Sequence, residues 1–260
     1  MRQGKRIAVV IPALNEAPAI GMVLNALPAW LDAVVVADNG STDGTAAIAA
    51  GHGAIVTEEP RRGYGRACLA GIKAVPDSTD ILVFLDADFS DLPEQMDRLV
   101  DPILNGEADM VLGSRQPVDG KSSALTLQQK IGNDLACMLI RVIWGCRYED
   151  LGPFRAIRFN SYTALGMADK NYGWTIEMQI KAVEQGIEIR EVPVSYRPRI
   201  GQSKISGTVS GVVSAGVKIL TVIATHAIRK IRKDMGRKVG IQTILESGPV
   251  VRFRNGFGVR

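Results

Sequence analysis

Short, almost wholly apolar runs alternate with segments of helical periodicity along the first 115 residues of the chain. The apolar runs are IAVVI (7–11), AVVVA (33–37), AIVT (54–57), ILVFL (81–85) and DMVLG (109–113). Turn-forming residues flank each run, a pattern typical of strands that are covered on both faces. Segments between them, such as NEAPAIGMVLNAL, place apolar residues at helical spacing. The alternation predicts an α/β fold with a doubly wound, mainly parallel sheet.

Polar clusters follow four of these predicted strands. PALNE follows the first strand, DNGSTDG the second, DADFSD the fourth and GSR the fifth. In open α/β sheets, ligands bind beyond the carboxyl ends of the strands, where the loops leave the sheet. We therefore expect the four clusters to gather at one edge of the sheet and to form a ligand site.

Beyond residue 120 the alternation weakens. We predict a helix over 124–143, a loop broken by glycine and proline over 148–158 (YEDLGPFRAIR), and a second helix from residue 174 (WTIEMQIKAVEQG). The run IEIREVPVSY (187–196) alternates as a strand does.

Residues 207–233 are predicted to form an amphipathic helix. Apolar residues recur there at helical spacing: Val209, Val213, Val217, Leu220, Ile223, Ala227 and Ile231. The longest uncharged run, 205–217, is too short to span a bilayer. The helix could pack on the protein's own core or lie on a membrane surface. We divide the chain accordingly into residues 1–206, an α/β domain, and residues 207–260, a helix with a basic tail.

The net charge of +4 conceals a strong asymmetry. Residues 201–260 carry 11 Lys and Arg against 2 Asp and Glu, a balance of +9, which leaves −5 for residues 1–200. A basic tail indicates an anionic partner. The segment RKIRKDMGRK (229–238) lacks the interleaved aromatic residues of nucleic-acid binders. We therefore expect an anionic membrane surface and no nucleic acid.

Cysteine and histidine usage excludes several classes of site. Cys68, Cys137 and Cys146 show no metal-binding spacing, and they indicate reduced thiols in a cytoplasmic protein. His52 and His226 are too far apart in the sequence to suggest a histidine metal site. The apolar run after Lys5 and Arg6 is too short for a signal peptide.

The stretch ILVFLDADFSDLPE carries the most specific chemistry. Asp86 and Asp88 leave a buried strand two positions apart. Paired carboxylates at such a place can hold Mg²⁺ or Mn²⁺, which take oxygen ligands and share their shell with waters and substrate phosphates. Asp91, followed by Pro93 and Glu94, is interpreted instead as the cap of the next helix.

Five motifs in order resemble family 2 glycosyltransferases with the GT-A fold: VVIPALNEAPAI, VVVADNGSTDGT, GYGRACLAGIKA, FLDADFSDLPE and VLGSR. This resemblance covers roughly residues 5–115. The continuation, EDLGPFRAIR, WTIEMQIKA and EIREVPVSYRPRIGQSKISG, resembles the dolichyl- or polyprenyl-phosphate sugar synthase branch and extends to about residue 210. Relatives in that branch often read DADLQ, where the glutamine adds a metal contact, and this chain has Ser90 at that position.

The resemblance implies roles for the residues of the donor site. Asp86 and Asp88 would hold the divalent ion that bridges the donor diphosphate. The nucleotide would be bordered by Pro12, Leu14, Glu16, Asp38, Gly63 and Arg66. Arg115 would pair with a phosphate, for which a guanidinium is suited. Lys204, in GQSKISG, would contact phosphate groups as its loop closes over the donor.

The acceptor decides whether a catalytic base is needed. A hydroxyl acceptor loses a proton in the transition state, and Asp150, beside Glu149, is then the candidate base. A phosphate acceptor is already anionic and needs only cationic groups, in which case Asp150 has a structural role.

The leading hypothesis is an inverting transfer from a UDP- or GDP-sugar to a polyprenyl phosphate at the cytoplasmic membrane face. Transfer to a hydroxyl is the alternative, and a catalytically inactive nucleotide-sugar-binding protein is a third hypothesis that the intact Asp86 and Asp88 disfavour. Gly207 and Gly211 form a small-residue pair that is compatible with a homo-oligomer.

Overall fold

The structure is a computed structural model that describes residues 1–117, 125–201 and 209–246, with the side chains of the last helix described for residues 214–235. By its internal contacts the chain divides into two compact units, Met1–Ile223 and Ala224–Arg260. The sheet and the predicted site residues that the structure describes all lie in the first unit. The division at residue 206 stays a prediction.

One seven-stranded sheet organises the first unit. Its order is β3-β2-β1-β4-β6-β5-β7, and six strands run in one direction while β6 runs against them. The predicted doubly wound, mainly parallel sheet is therefore confirmed. The strands are β1 (Ile7–Ala13), β2 (Ala33–Asp38), β3 (Ile55–Glu58), β4 (Ile81–Phe84), β5 (Met110–Pro117), β6 (Arg155–Arg158) and β7 (Ile189–Tyr196).

Helices follow most of the strands, as the alternation predicts. They are α1 (Ala17–Asn25), α2 (Thr45–Gly51), α3 (Tyr64–Lys73), α4 (Met96–Leu104), α5 (Leu127–Trp144), α6 (Phe159–Leu165), α7 (Trp174–Glu184) and α8 (Val209–Glu246). A single 3-10 turn, Pro93–Gln95, precedes α4.

The period-two alternation of side chains gives the sheet two buried faces. On β1, Ala8 and Val10 face a core formed with α3, α5 and α7, while Ile7, Val9 and Ile11 face a second core formed with α1 and α4. A sheet covered on both sides explains why its strands are apolar at nearly every position.

Strand β6 corrects the prediction of a loop over the whole of 148–158. It inserts between β4 and β5, with Arg155 opposite both Phe84 and Leu112. Only four residues long and with arginine at both ends, β6 lacks the apolar pattern that indicates a strand. Its position brings the loop before it, residues 150–154, to the edge where β4 ends.

The predicted C-terminal helix is present as α8. In the first unit, Val222 and Ile223 are buried, while Val217 and Leu220 are 59% and 43% exposed. In the second unit, Ile231 is exposed. The predicted apolar face is thus only partly used in packing. Within the described ranges, no helix is both long enough and apolar enough to cross a bilayer.

Candidate active site

A cleft of about 420 Å³ opens at the carboxyl edge of the sheet. Its walls come from the loops after β1, β2, β3 and β4, and from two segments farther along the chain, at Tyr172 and Arg199. The lining includes Pro12, Leu14, Glu16, Asn39, Arg62, Gly63, Tyr64, Asp86, Asp88, Tyr172 and Arg199. The predicted convergence of polar clusters is confirmed for the clusters that follow β1, β2 and β4. The GSR cluster lies within β5 rather than after it, because the strand continues to Pro117, and its Arg115 is not part of the lining.

Asp38 lies beside the cleft at the end of β2, next to the end of β1. One of its carboxylate oxygens accepts a hydrogen bond from the backbone N–H of Ser41 at 3.0 Å. The other oxygen, Oδ1, is buried and has no hydrogen-bond partner among the described residues. An acceptor left without a donor suits an N–H or O–H of a bound nucleotide, so the role assigned to Asp38 stays a prediction with physical support.

The loop that begins α3 needs glycine where it approaches a neighbouring backbone. Gly63 has a φ of 146°, and a Cβ added there would come within 2.2 Å of the carbonyl oxygen of Lys170. The buried amide of Asn39 positions this loop by donating to the Glu59 and Arg61 carbonyls and accepting from the Gly63 N–H at 2.8 Å. Sequence reasoning gave Asn39 no such role.

Arg66, predicted to stand with Gly63 at the nucleotide, does not line this cleft. It lies instead in a second cleft on the other side of α3, together with Lys73 and Lys170. Its role toward the donor stays a prediction.

Residues 86–91, hereafter the carboxylate loop, follow β4. The hydroxyl of Tyr64 donates to Asp86 at 3.1 Å, and Asp88 accepts from both the hydroxyl and the backbone N–H of Ser90 at 2.5 and 2.9 Å. Burial and the negative charge of Asp88 raise the pKa of Asp86 to about 7. Two carboxylates that repel each other in a cleft create a site for a cation.

Arg199 supplies positive charge at this place, and sequence reasoning missed it. Its guanidinium lies 2.8 Å from a carboxylate oxygen of Glu16 and 3.2 Å from one of Asp88. Arg199 lies in the segment YRPRIGQSKISG. The family resemblance of this segment implied a role for Lys204 and none for Arg199.

The donor atoms of the cleft fit a hard divalent ion. Carboxylate oxygens of Asp86 and Asp88 are the ligands that Mg²⁺ and Mn²⁺ prefer, and the guanidinium of Arg199 already stands at one of them as a positive group. Within the described part of the chain, no three Asp, Glu, His or Cys side chains form a complete metal cage. Ions that share their shell with waters and substrate phosphates do not need such a cage.

Asp91 does not cap the next helix, which corrects the sequence-based interpretation. Leu92 occupies the cap position before Pro93–Gln95, with no side-chain hydrogen bond to the turn. Asp91 is 1% exposed, and neither carboxylate oxygen has a hydrogen-bond partner in the described residues. Burial, followed by the charges of Asp86 and Asp88, raises its pKa well above the usual range.

Arg115 and Asp150 form a buried bidentate ion pair. The guanidinium nitrogens Nε and Nη2 of Arg115 donate to the two Asp150 oxygens at 2.7 and 2.6 Å. The same carboxylate accepts the backbone N–H groups of Arg115 and Leu151 at 3.0 and 2.8 Å. Four donors therefore occupy Asp150, and neither member of the pair lines the cleft described above.

Lys204 and Gly207 lie outside the described residues, so the structure reports neither the phosphate contact predicted for the first nor the small-residue pair predicted for the second.

Comparisons with known proteins bear on the family and the fold of this chain. Residues 8–170 match the family model described as Glycosyl transferase family 2. An uncharacterised glycosyltransferase of Mycobacterium tuberculosis is 37% identical over 85% of this chain and 99% of its own length. The undecaprenyl-phosphate mannosyltransferase of Micrococcus luteus is 30% identical over 79% of this chain and 90% of its own.

A solved structure shares the fold. Glucosyl-3-phosphoglycerate synthase of Mycobacterium tuberculosis, in complex with Mn²⁺, uridine diphosphate and glucosyl-3-phosphoglycerate, superposes with a TM-score of 0.70 at 24% identity. The match covers 86% of this chain and 80% of that one.

Proposed function

Because the chain belongs to glycosyltransferase family 2 and has the GT-A fold, we propose that it transfers a sugar from a nucleotide-sugar to a polyprenyl phosphate. The transfer inverts the configuration of the anomeric carbon. The name of the undecaprenyl-phosphate mannosyltransferase relative supports this class of acceptor.

The hydrogen bonds that Asp150 already accepts are the observation that favours a phosphate acceptor over a hydroxyl acceptor. Its carboxylate oxygens accept four hydrogen bonds, two of them from the guanidinium of Arg115. A general base needs a free oxygen directed at the acceptor hydroxyl. A phosphate acceptor needs no base, and the guanidinium nitrogen of Arg115 that does not bind Asp150 would donate to the phosphate oxygens.

The cleft supplies the donor side of the reaction. Asp86 and Asp88 would hold Mg²⁺ or Mn²⁺, and the unpartnered oxygen of Asp38 would accept a hydrogen bond from the nucleotide. A divalent ion bound there supplies positive charge to the nucleoside diphosphate as it leaves.

The reaction is a single in-line displacement. An oxygen of the acceptor phosphate forms a bond to the anomeric carbon while the bond from that carbon to the nucleoside diphosphate breaks. The bonding pair leaves with the nucleoside diphosphate, and no proton is transferred.

A lipid-linked acceptor places the reaction at a membrane surface, on the cytoplasmic side where nucleotide-sugars are made. Exposed apolar residues of α8, Ile228 and Ile231, together with the exposed cations Arg229, Arg232 and Lys233, support peripheral attachment to anionic lipid.

A donor and acceptor screen tests the proposal. UDP- and GDP-sugars are offered with undecaprenyl phosphate, and separately with hydroxyl acceptors such as phosphoglycerate, in Mn²⁺ and in EDTA. We expect metal-dependent transfer to the lipid phosphate, with inversion seen by NMR of the product. Transfer only to a hydroxyl, abolished in Asp150→Asn with a changed pH profile, would instead establish Asp150 as a base.

A further inference from the structure

The cleft contains a positive group of the protein's own at the place where the proposed ion would bind. The guanidinium of Arg199 bridges Glu16, from the loop after β1, and Asp88, from the carboxylate loop. Both carboxylate side chains are 8% exposed and the arginine side chain is 29% exposed. Two largely buried anions from separate loops therefore share one cation.

We propose that Arg199 is a resident counter-cation, which neutralises Asp88 and Glu16 before a divalent ion arrives and competes with that ion for Asp88. This inference rests on the proposed metal-dependent function. It makes Arg199 a positioning residue that sets the affinity of the cleft for the ion.

The backbone around Arg199 is fastened to the carboxylate loop, so that the competition depends on its side chain. The N–H of Ile200 donates to the Asp88 carbonyl at 2.9 Å, and the N–H of Arg197 donates to the Ser90 carbonyl at 2.9 Å. These two bonds flank Arg199 and hold its Cα beside Asp88. The long side chain can rotate away from the carboxylates without breaking either bond.

Competition makes the binding of ion and donor interdependent. An ion that binds alone has to separate Arg199 from Asp88, which weakens its apparent affinity. When a nucleoside diphosphate binds as well, the displaced guanidinium gains a new anionic neighbour in the same cleft. We therefore expect weak binding of Mn²⁺ alone and tighter binding in the presence of the donor's nucleoside diphosphate, UDP or GDP.

An ion pair that only stabilised the fold would give the opposite result. Loss of a structural arginine would loosen the carboxylate loop and weaken ion binding. Loss of a competing arginine would strengthen ion binding. Asp88 would keep its two hydrogen bonds from Ser90 but would no longer be paired with a cation of the protein.

Titration of the full chain with Mn²⁺ alone, followed by electron paramagnetic resonance of the free ion, tests the proposal. We expect Arg199→Gln to bind Mn²⁺ about tenfold more tightly than the wild type, toward the lower end of typical coupling between sites because the pair is partly exposed. Arg199→Lys, which keeps the charge, should stay close to the wild type.

Arg62→Gln is the matched control, because Arg62 lines the same cleft and is exposed, whereas among the described residues it is Arg199 that pairs with Glu16 and Asp88. If removing any positive charge from the cleft sufficed, Arg62→Gln would tighten binding as much as Arg199→Gln. That result would overturn the specific role of Arg199, as would unchanged or weaker Mn²⁺ binding by a folded Arg199→Gln.

A measurement on the unmutated side chain guards against a variant that fails to fold. In wild-type protein labelled with ¹⁵N-arginine, the Nε–H resonance of Arg199 should move on addition of diamagnetic Mg²⁺, while that of Arg62 should not. If the Nε–H resonance of Arg199 does not shift at saturating Mg²⁺, the proposed displacement of Arg199 by the ion is wrong.

The design separates this inference from the proposed function. If the wild type binds no Mn²⁺ with either UDP or GDP present, the metal-dependent function fails and the inference fails with it. If the wild type binds Mn²⁺ with one of these nucleotides but Arg199→Gln gains no affinity for the ion alone, only the inference is wrong.

Discussion

Ser90 orients the carboxylate of Asp88 by hydrogen bonding. Its hydroxyl and its backbone N–H both donate to the same oxygen of Asp88, and the side chain is 1% exposed. Hydrogen bonds of this kind fix the orientation of a carboxylate and leave its second oxygen to face the cleft. The short hydroxyl therefore orients Asp88.

Replacing Asp88 tests the donor site most directly. We expect Asp88→Asn to lower metal-dependent transfer by at least about 100-fold, because on the proposed function it removes a charge that would hold the ion at the leaving diphosphate. Turnover and Mn²⁺ binding are measured on protein whose thermal unfolding matches the wild type. Asp109→Asn, in a half-exposed pair with Arg158 outside the cleft, is the control. Full activity of Asp88→Asn, or of the wild type in EDTA, would refute the metal assignment.

Replacing Arg115 tests the acceptor side. A lysine keeps the charge but loses the fork that binds Asp150 through two nitrogens. We expect Arg115→Lys to raise KM for the lipid phosphate about tenfold with a smaller effect on kcat, because one charge-assisted hydrogen bond contributes about 1.5–3 kcal/mol. Arg158→Lys is the matched control. A fall in kcat alone would indicate that Arg115 does not position the acceptor.

Residues of the site differ in how far they could be predicted. Asp86 and Asp88 were visible because a short motif after an apolar strand carries its own signal. Arg199 was not, since its meaning comes from two partners, Glu16 and Asp88, that only the folded sheet brings to it. Asp91 was misread because capping residues and buried carboxylates look alike in sequence.

Helix α3 lies unusually close to the sheet. A Cβ added to Gly71 would come within 2.5 Å of a methyl group of Val10 on β1 and 3.2 Å of the Cβ of Ala37 on β2. Because well-packed interiors have no room for an added methyl, the helix would have to move outward. That helix also carries Tyr64, which donates to Asp86.

We therefore expect Gly71→Ala to lower the free energy of unfolding by about 1–3 kcal/mol. Urea denaturation followed by circular dichroism measures the change. Gly132→Ala in α5 is the matched control, because its added Cβ would meet nothing within 4 Å. The gain in helix propensity there should raise stability by up to about 1 kcal/mol. Equal effects of the two variants would contradict the packing explanation.

At the level of elements, the strands with strong apolar runs were predictable and β6 was not. Helix α5 was predicted over 124–143 and is described from Leu127 to Trp144, after a capping box formed by Thr126 and Gln129. The start of α5 is marked in the sequence by its capping residues. The position of β6, in contrast, depends on its pairing with β4 on one side and β5 on the other. Tertiary pairing of this kind leaves no periodic trace in four residues.

Charge is distributed unevenly over the whole molecule. The balance of +9 over residues 201–260 and −5 over residues 1–200 predicts that the tail, rather than the body, meets an anionic surface. Attraction of this kind weakens when salt shortens the screening length from about 10 Å at 0.1 M to about 3 Å at 1 M.

We expect the protein to sediment with vesicles that contain phosphatidylglycerol at low salt, and to be released at about 1 M salt. Replacing Arg232 and Lys233 by glutamine should weaken binding. Replacing Lys73 and Arg147, exposed cations of the first unit, should leave it nearly unchanged. Equal binding by both double variants would locate the attachment elsewhere.

The place of β6 in the sheet determines when strand pairing in the sheet can be completed during synthesis on the ribosome. Strand β4, whose four side chains are all buried, leaves the ribosome well before β6, its partner on the side away from β1. Until residues 155–158 emerge, that side of β4 presents unpaired N–H and C=O groups, a ready template for other nascent chains. Ribosome-bound fragments that end within α5 should therefore engage chaperones, and release from them should coincide with the emergence of β6.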